Sequence, residues 1–340
     1  MVKKFLNTSF FQRIKYLKRP KKIGHLITSF LKGKFYGLPN ELLVEISSLC
    51  NINCTLCSVP SKHLTRNKKM MSFKDFKRIV DDVSSYIYKI SLIVGGEPFM
   101  NKEIFKMIRY ANKKNLFITV SSNATLLNRK IIDNILSSGL DTLVVNIGGA
   151  TTYSHESYMK GSSFLRVKEN IKMLCKEKEK RNLSFPIIKL QTLITSYNED
   201  EIDRVKKLAD EMNVDKFVCK SLGIVMEYFK DGSVFRLAKK ILPKKHEEFS
   251  RYKLTKKSLI HKINCNCIFL NKTGILSNGK IICCCYDING IHDLGNVFEE
   301  PLQKIWKSEK YKKIRKKMRN KELPFCKYSC NPFKISIKSG

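Results

Sequence analysis

Cys50, Cys54 and Cys57 stand at the spacing C-x3-C-x2-C in one short loop. A thiolate is a soft ligand suited to zinc or to iron–sulfur clusters, and three from one loop can hold one face of a cubane. A four-iron cluster held by three cysteines keeps one iron open to a further molecule. A zinc site completed by His63, or a set of buried structural thiols, is the plainer alternative. A second cysteine field comprises Cys265, Cys267, Cys283, Cys284, Cys285, Cys326 and Cys330. Within it, the Asn278-Gly279 pair separates Gly274-Ile275-Leu276 from Lys280-Ile281-Ile282, a strong hairpin signal that returns Cys267 toward residues 283–285. Four thiolates there would suit a complete iron–sulfur cluster or a structural zinc ribbon. Cys175 and Cys219 read as ordinary buried thiols, and the six histidines are scattered.

The elements that must position these thiols alternate in type. The apolar run Leu42–Ile46 reads as a buried strand leading into the first cysteine loop. Ser72, with Asp75 three residues later, starts a helix that carries Phe73, Phe76, Ile79 and Val80. A strand at Ile90–Val94 closes on Gly95-Gly96-Glu97-Pro98, where two glycines let the backbone approach a ligand and Glu97 offers acceptors to an ammonium group. Further strands are expected at Leu116–Ser121, Thr142–Ile147, Ile187–Ile194 and Lys216–Ser221. Helices are expected near Ile104–Lys113, Arg129–Ser138, Phe164–Lys180 and Asp200–Met212. Six strand–helix repeats make a parallel sheet, too few for a closed eight-stranded barrel. In such sheets, sites gather at the C-terminal strand ends, where both the cysteine loop and Gly95–Pro98 fall.

Composition narrows the class. The chain has 340 residues, 43% hydrophobic and 28% charged, an ordinary globular balance. No apolar run approaches the roughly 20 residues of a membrane span. The basic N-terminus lacks a signal-peptide core, and twelve cysteines at metal-ligand spacings fit a reducing, cytoplasmic setting. The net charge of +35 attracts anions, and an anionic substrate suits it. Nucleic acid is a weaker expectation, because no aromatic platform or nucleic-acid module accompanies the charge. Residues 1–40 hold ten Lys or Arg and no acidic residue. There Ile23, Leu26, Ile27, Phe30 and Leu31 form an amphipathic helical stripe, expected to pack on its own domain, with an anionic membrane surface as the alternative.

C-x3-C-x2-C after a first strand, followed one strand later by Gly95-Gly96-Glu97-Pro98, resembles the radical S-adenosylmethionine (radical SAM) enzymes. The resemblance implies an α/β fold, a partial (β/α)6 TIM-like barrel with a small C-terminal cysteine-rich auxiliary-cluster domain. It implies a [4Fe-4S] cluster on Cys50, Cys54 and Cys57 whose open iron chelates S-adenosylmethionine. Gly95, Gly96, Glu97 and Pro98 would bind the methionyl amino group, and Ser122 and Asn123 the ribose. Ala124 departs from the usual glycine, Asn146–Gly149 from the usual Ser-x-Asp, and Leu56 from the usual aromatic, although a leucine can also pack on an adenine face. Cys267, Gly279 and Cys284, then Leu294–Val297, Leu302 and Ile305-Trp306, resemble the SPASM or twitch extension. That likeness implies an auxiliary [4Fe-4S] cluster on Cys267, Cys284, Cys326 and Cys330, with Cys265, Cys283 and Cys285 as substitutes. The domains expected are a basic N-terminal extension (1–40), the radical SAM core (41–222), a connector (223–262) and the auxiliary-cluster domain (263–340). The activity implied is reductive cleavage of S-adenosylmethionine to a 5′-deoxyadenosyl radical that abstracts hydrogen from a peptide or sugar-like substrate. A flavodoxin or ferredoxin would supply the electron, and the auxiliary cluster would accept one from the substrate or staple the domain. The rival reading is a zinc-stabilised, basic nucleic-acid-binding protein without enzymatic activity.

Overall fold

The computed structural model describes residues 20–225, 233–254, 258–261, 267–329 and 333–336, so Cys265, Cys330 and the first 19 residues lie outside it. Six parallel strands form the expected sheet: β1 (Glu41–Val44), β2 (Lys89–Leu92), β3 (Phe117–Ser122), β4 (Thr142–Asn146), β5 (Ile187–Ile194) and β6 (Lys216–Ser221). They neighbour one another in sequence order, as successive crossovers on one side require. The crossovers carry α2 (Phe73–Val83), α3 (Ile104–Lys113), α4 (Arg129–Ser137), α5 (Thr152–Tyr158), α6 (Phe164–Lys180) and α7 (Ile202–Glu211). No described helix is long and apolar enough to cross a membrane.

Local sequence explains these boundaries. Ser72 caps α2 by accepting from Asp75 N, and Asn128, Thr151 and Ser163 cap α4, α5 and α6 in the same way. Gly139 follows α4 at φ +83°, a conformation that favours glycine. Along β5, Ile188, Leu190 and Ile194 are buried, with Ile188 and Leu190 in the main core, while Lys189, Gln191 and Leu193 take the opposite face. That alternation gives the sheet a helix-covered side and a concave inner side.

Two features differ from the sequence-based picture. The C-terminal hairpin, β7 (Lys272–Ile275) with β8 (Ile281–Ile282), is not a separate sheet: β7 lies parallel beside β1, pairing Glu41 with Lys272 through Val44 with Ile275. The edge of β1 would otherwise leave its backbone groups unpaired. The sheet of described residues therefore has eight strands, open between β8 and β6. After α8 (Ser233–Ile241), three C-terminal helices follow, α9 (Leu302–Lys307), α10 (Glu309–Arg319) and α11 (Pro324–Ser329). Trp306 Nε1 donates to Gly37 O at 2.6 Å, and Tyr311 Oη to Thr273 Oγ1 at 2.7 Å.

The second difference is the docking of α1 (Pro20–Tyr36). Among the described residues, polar contacts tie it to the core domain. Lys22 Nζ meets the buried Asp141 at 2.6 Å, His25 Nε2 lies 2.8 Å from Ile87 O, and Lys32 Nζ donates to Ser85 O. Asp141 also accepts from Ile118 N at the base of β3, so a buried carboxylate selects the cationic face of the helix. Ile27, Phe30 and Leu31 remain exposed.

Candidate active site

The cysteine loop leaves β1 and is fixed on two sides. Met71 N donates to Ile46 O and Ser48 N to Lys69 O, which ties the loop to the segment before α2. On the other side Asn53–Cys54 forms a short antiparallel ribbon with Met159–Lys160, and Thr55 N donates to Tyr158 O at 2.8 Å. Ile52 and Leu56 are buried with Tyr158, Met159, Leu222 and Ile224 in a small apolar cluster of their own. Leu56 adopts φ +69°, a left-handed conformation that costs a leucine free energy, and does not line the cavity between the cysteines and the strand ends.

All three thiols are half-buried. Burial pushes the Cys57 thiol up to about 11 and those of Cys54 and Cys50 up as well. Neighbouring thiol charges add to the rise, chiefly at Cys54. Three thiolates so close together repel one another unless a cation neutralises them. The donor set therefore fits an iron cluster.

The Gly95–Pro98 turn packs directly on this loop. A Cβ on Gly96, at φ +62°, would lie 2.3 Å from Ser47 O and 2.5 Å from Leu49 O. One on Gly95 would lie 2.6 Å from Glu45 Oε2. The glycines thus admit the first loop and also line the cavity beside it, and Glu97 N donates to Leu49 O at 2.7 Å. Pro98 opens a short helical turn, and Asn101 Nδ2 beyond it donates to Ile46 O and Met71 O.

Glu97 is 1% exposed, and its carboxylate ties this turn to the end of β3. Oε1 accepts from Ser122 Oγ at 2.8 Å and Phe99 N at 3.2 Å, and Oε2 from Asn123 N at 2.8 Å. Burial lifts the acid to about 7 against the pull of those three donors. A carboxylate has about four acceptor sites, so one remains for a ligand. Asn123 Nδ2 in turn donates to Asn51 Oδ1 and lies 3.8 Å from Cys50 Sγ. Ala124, where a glycine is common, sits at φ +59° and is fully buried, which explains why glycine suits the position.

The three sequence motifs line one cavity of about 260 Å3. It also includes Asn146, from the segment that departs from the usual Ser-x-Asp, and residues that sequence reasoning missed, among them Tyr158, Met159, Gln191 and Leu193. Asn146 Nδ2 donates to Ser121 Oγ and Ser122 O, and its Oδ1 accepts from Gln191 Nε2 at 2.9 Å. A polar rung thus joins the ends of β3, β4 and β5, although the segment after Asn146 lacks the usual acid. The readable signal was polar residues alternating with isoleucine and leucine in β5. A larger cavity, about 660 Å3, lies between Ile291–Leu294 and α10 and contains no cysteine.

The second cysteine field adjoins the first through Glu45. Its Oε1 accepts from Ser277 N at 3.1 Å and Ser277 Oγ at 2.8 Å, while Arg66 pairs with Oε2 and donates from Nε to Ile288 O. Cys283, Cys284 and Cys326 are buried, and Cys267 and Cys285 are half-buried. Burial raises the Cys283 thiol well above its usual range, helped by Asp287, Cys326 and Cys267. Cys284 instead hydrogen-bonds Cys285, whose thiol that bond, Arg251 and Lys272 hold below its usual range. The Cys283 thiol senses both Cys267 and Cys326.

Residues 44–209 match the Radical SAM superfamily, and residues 265–331 match SPASM, an iron–sulfur cluster-binding domain. An AdoMet-dependent heme synthase of Methanosarcina barkeri is 29% identical over 182 residues, 51% of this chain and 48% of that protein. The chain thus spans about half the length of that relative. A tungsten-containing aldehyde ferredoxin oxidoreductase cofactor-modifying protein of Pyrococcus furiosus is 23% identical over 84% of this chain and 85% of its own. Among solved structures, Streptococcus suis SuiB bound to precursor peptide SuiA aligns at a TM-score of 0.61 and 17% identity, covering 84% of this chain and 70% of SuiB.

Proposed function

We propose, from the premise that this chain belongs to the radical SAM superfamily and ends in a SPASM domain, that it abstracts a hydrogen atom from a peptide or a sugar-like small molecule. The chain is an enzyme that takes [4Fe-4S] clusters and S-adenosylmethionine, and its exact substrate is the open question. The zinc-stabilised nucleic-acid-binding reading is set aside by that membership. When bound, the clusters and S-adenosylmethionine supply reductive carbon–sulfur cleavage, hydrogen abstraction from substrate and a sink for the electron left there.

The chain's own residues do the positioning. Cys50, Cys54 and Cys57 would hold the first cluster. Glu97, through its remaining acceptor site, would take the ammonium of S-adenosylmethionine, with the Gly95–Pro98 turn fixing its direction. Ser122 is committed to Glu97, so its role is to orient that carboxylate, while Asn123 and Asn146 sit where a ribose or substrate would lie. Tyr158, Met159 and Leu193 give the cavity apolar walls that exclude water from a reactive intermediate. Cys267, Cys326, Cys330 and a hairpin cysteine, Cys283 or Cys284, would hold the auxiliary cluster. A flavodoxin or ferredoxin is the electron donor that this chemistry needs.

The observation that carries this reading is the shared cavity. The cysteine loop, the Gly95–Pro98 turn and the end of β3 come from three separate strand–helix units yet line it together. The test is anaerobic: iron and acid-labile sulfide at about two four-iron clusters per chain, and release of 5′-deoxyadenosine from S-adenosylmethionine with a strong reductant. Zinc without sulfide, and no cleavage, would end the proposal.

A further inference from the structure

The inner face of the sheet carries charges that the cysteine site does not use. Lys189, Gln191 and Leu193 alternate on the concave side of β5, and Gln191 and Leu193 already line the cysteine cavity. Lys220 on β6 pairs in register with Leu193, so it stands on the same face one strand away. Arg251 closes the gap between the sheet edges. Its neighbour Ser250 bridges Leu222 just beyond β6, and its own Nη1 donates at 3.2 Å to Tyr286 Oη, beyond the end of β8.

Among the described residues Lys189 and Lys220 have no counter-charge, and Arg251 acts on the Cys285 thiol rather than on a carboxylate. Among the described residues, none of them has a carboxylate partner, and Arg251 Nε is buried with no hydrogen-bond acceptor. Glu41, on the same inner face, is already occupied by Lys89, Lys272 and Tyr88. The cations also sense one another. Burial, then Lys89, lowers the Lys189 ammonium from its usual range, and burial, then Lys189 and Arg251, lowers that of Lys220. Bringing like charges together on a partly desolvated wall costs folding free energy that the sheet does not recover. Such an arrangement is the mark of a site that waits for an anion.

We propose that Lys189, Lys220 and Arg251 form an oxyanion site on the inner face of the barrel, beside the cysteine cavity, that takes a carboxylate or phosphate group of the substrate. Two ammonium groups and a planar guanidinium suit a multiply charged oxyanion. The site rests on the radical SAM reading only for its use: an anion held there places the rest of the substrate against Gln191 and Leu193. It turns the general basicity of the chain into a specific demand on the substrate.

The test uses the full, cluster-loaded chain under anaerobic conditions, with inorganic pyrophosphate and citrate as probes in calorimetric titrations at fixed ionic strength. The wild type binds one probe anion per chain, and Lys189→Gln/Lys220→Gln weakens it at least ~10-fold, the loss of about 1.4 kcal/mol. The matched pair Lys74→Gln/Lys176→Gln removes the same charge from exposed helix faces and leaves the affinity unchanged. Equal weakening in both pairs overturns the site, because the binding then belongs to the whole basic surface. Thermal melting guards against misfolding: without probe, Lys189→Gln/Lys220→Gln melts at or above the wild-type temperature. Pyrophosphate raises the melting point of the wild type only, and an equal rise in the variant also overturns the site. The stronger probe tells phosphate from carboxylate. Cleavage of S-adenosylmethionine by the wild type without any probe tests the enzymatic reading separately, so lysine-dependent binding in an enzyme that cleaves nothing would sink that reading alone.

Discussion

Removing the Glu97 side chain should cost stability and S-adenosylmethionine affinity together. In Glu97→Ala the hydroxyl of Ser122 can turn to another partner, but the N–H groups of Asn123 and Phe99 are fixed in the backbone and stay buried. Two orphaned donors at roughly 1–3 kcal/mol each give about 4 kcal/mol. Unfolding entropy for a chain of this length is about 0.7 kcal/mol per degree, so Tm should fall by about 6 °C. Glu97→Gln keeps one acceptor oxygen but turns its amide toward the N–H of Asn123, and should lose about half as much.

The same carboxyl makes a pH prediction. Its folded value of about 7 lies above the ordinary 4.5, so the folded state holds a proton that the unfolded state has released. Its contribution to stability is complete below 4.5 and disappears as pH rises through 7. At about 1.4 kcal/mol per unit, the loss is about 3–4 kcal/mol. An ammonium bound beside Glu97 restores the ionised form, so binding of S-adenosylmethionine at a pH near 6.5 should release most of a proton and at 8.5 almost none. Differential scanning calorimetry gives the Tm values, and titration in two buffers of different ionisation enthalpy counts the proton. An Ala variant with wild-type Tm, or ligand binding without proton release near 6.5, would refute the reasoning.

Three further outcomes follow from the packing. Gly96→Ala places a Cβ 2.3 Å from Ser47 O at a left-handed φ, so the turn must move off the cysteine loop; equilibrium dialysis should show S-adenosylmethionine binding lost while the auxiliary cluster's iron is retained. Glu45→Ala leaves the Arg66 guanidinium buried without its partner and should cost about 3–5 kcal/mol, read as a lower Tm; Ser277→Ala should cost less, since it removes only a hydroxyl. Cys283→Ala should deplete auxiliary-cluster iron more than Cys284→Ala, because Cys283 stands with Cys267 and Cys326 while Cys284 faces Cys285; equal depletion would return Cys284 to the ligand set.

The sequence alone determined the local parts of this protein. Cysteine spacing specifies a soft-metal loop, because three thiolates in eight residues have few other stable uses. Strand–helix periodicity fixed six parallel strands, and Ser72, Asn278-Gly279 and Gly139 marked a cap, a hairpin and a helix end. Each is a short-range preference of backbone or side chain, so neighbouring residues suffice to decide it. What only the tertiary structure decided involves residues far apart in the chain. The hairpin joins β1 because that strand has a free edge, and α1 turns Lys22 inward because Asp141 is buried beneath it. Gly95 and Gly96 make room for Glu45, Ser47 and Leu49, and Glu97 divides its carboxylate between a turn and the end of β3. Lys189, Lys220 and Arg251 read singly as solvated surface charges. Only strand register and the bridge from Ser250 to Leu222 bring them to one wall, because like charges have no local preference that would reveal their meeting.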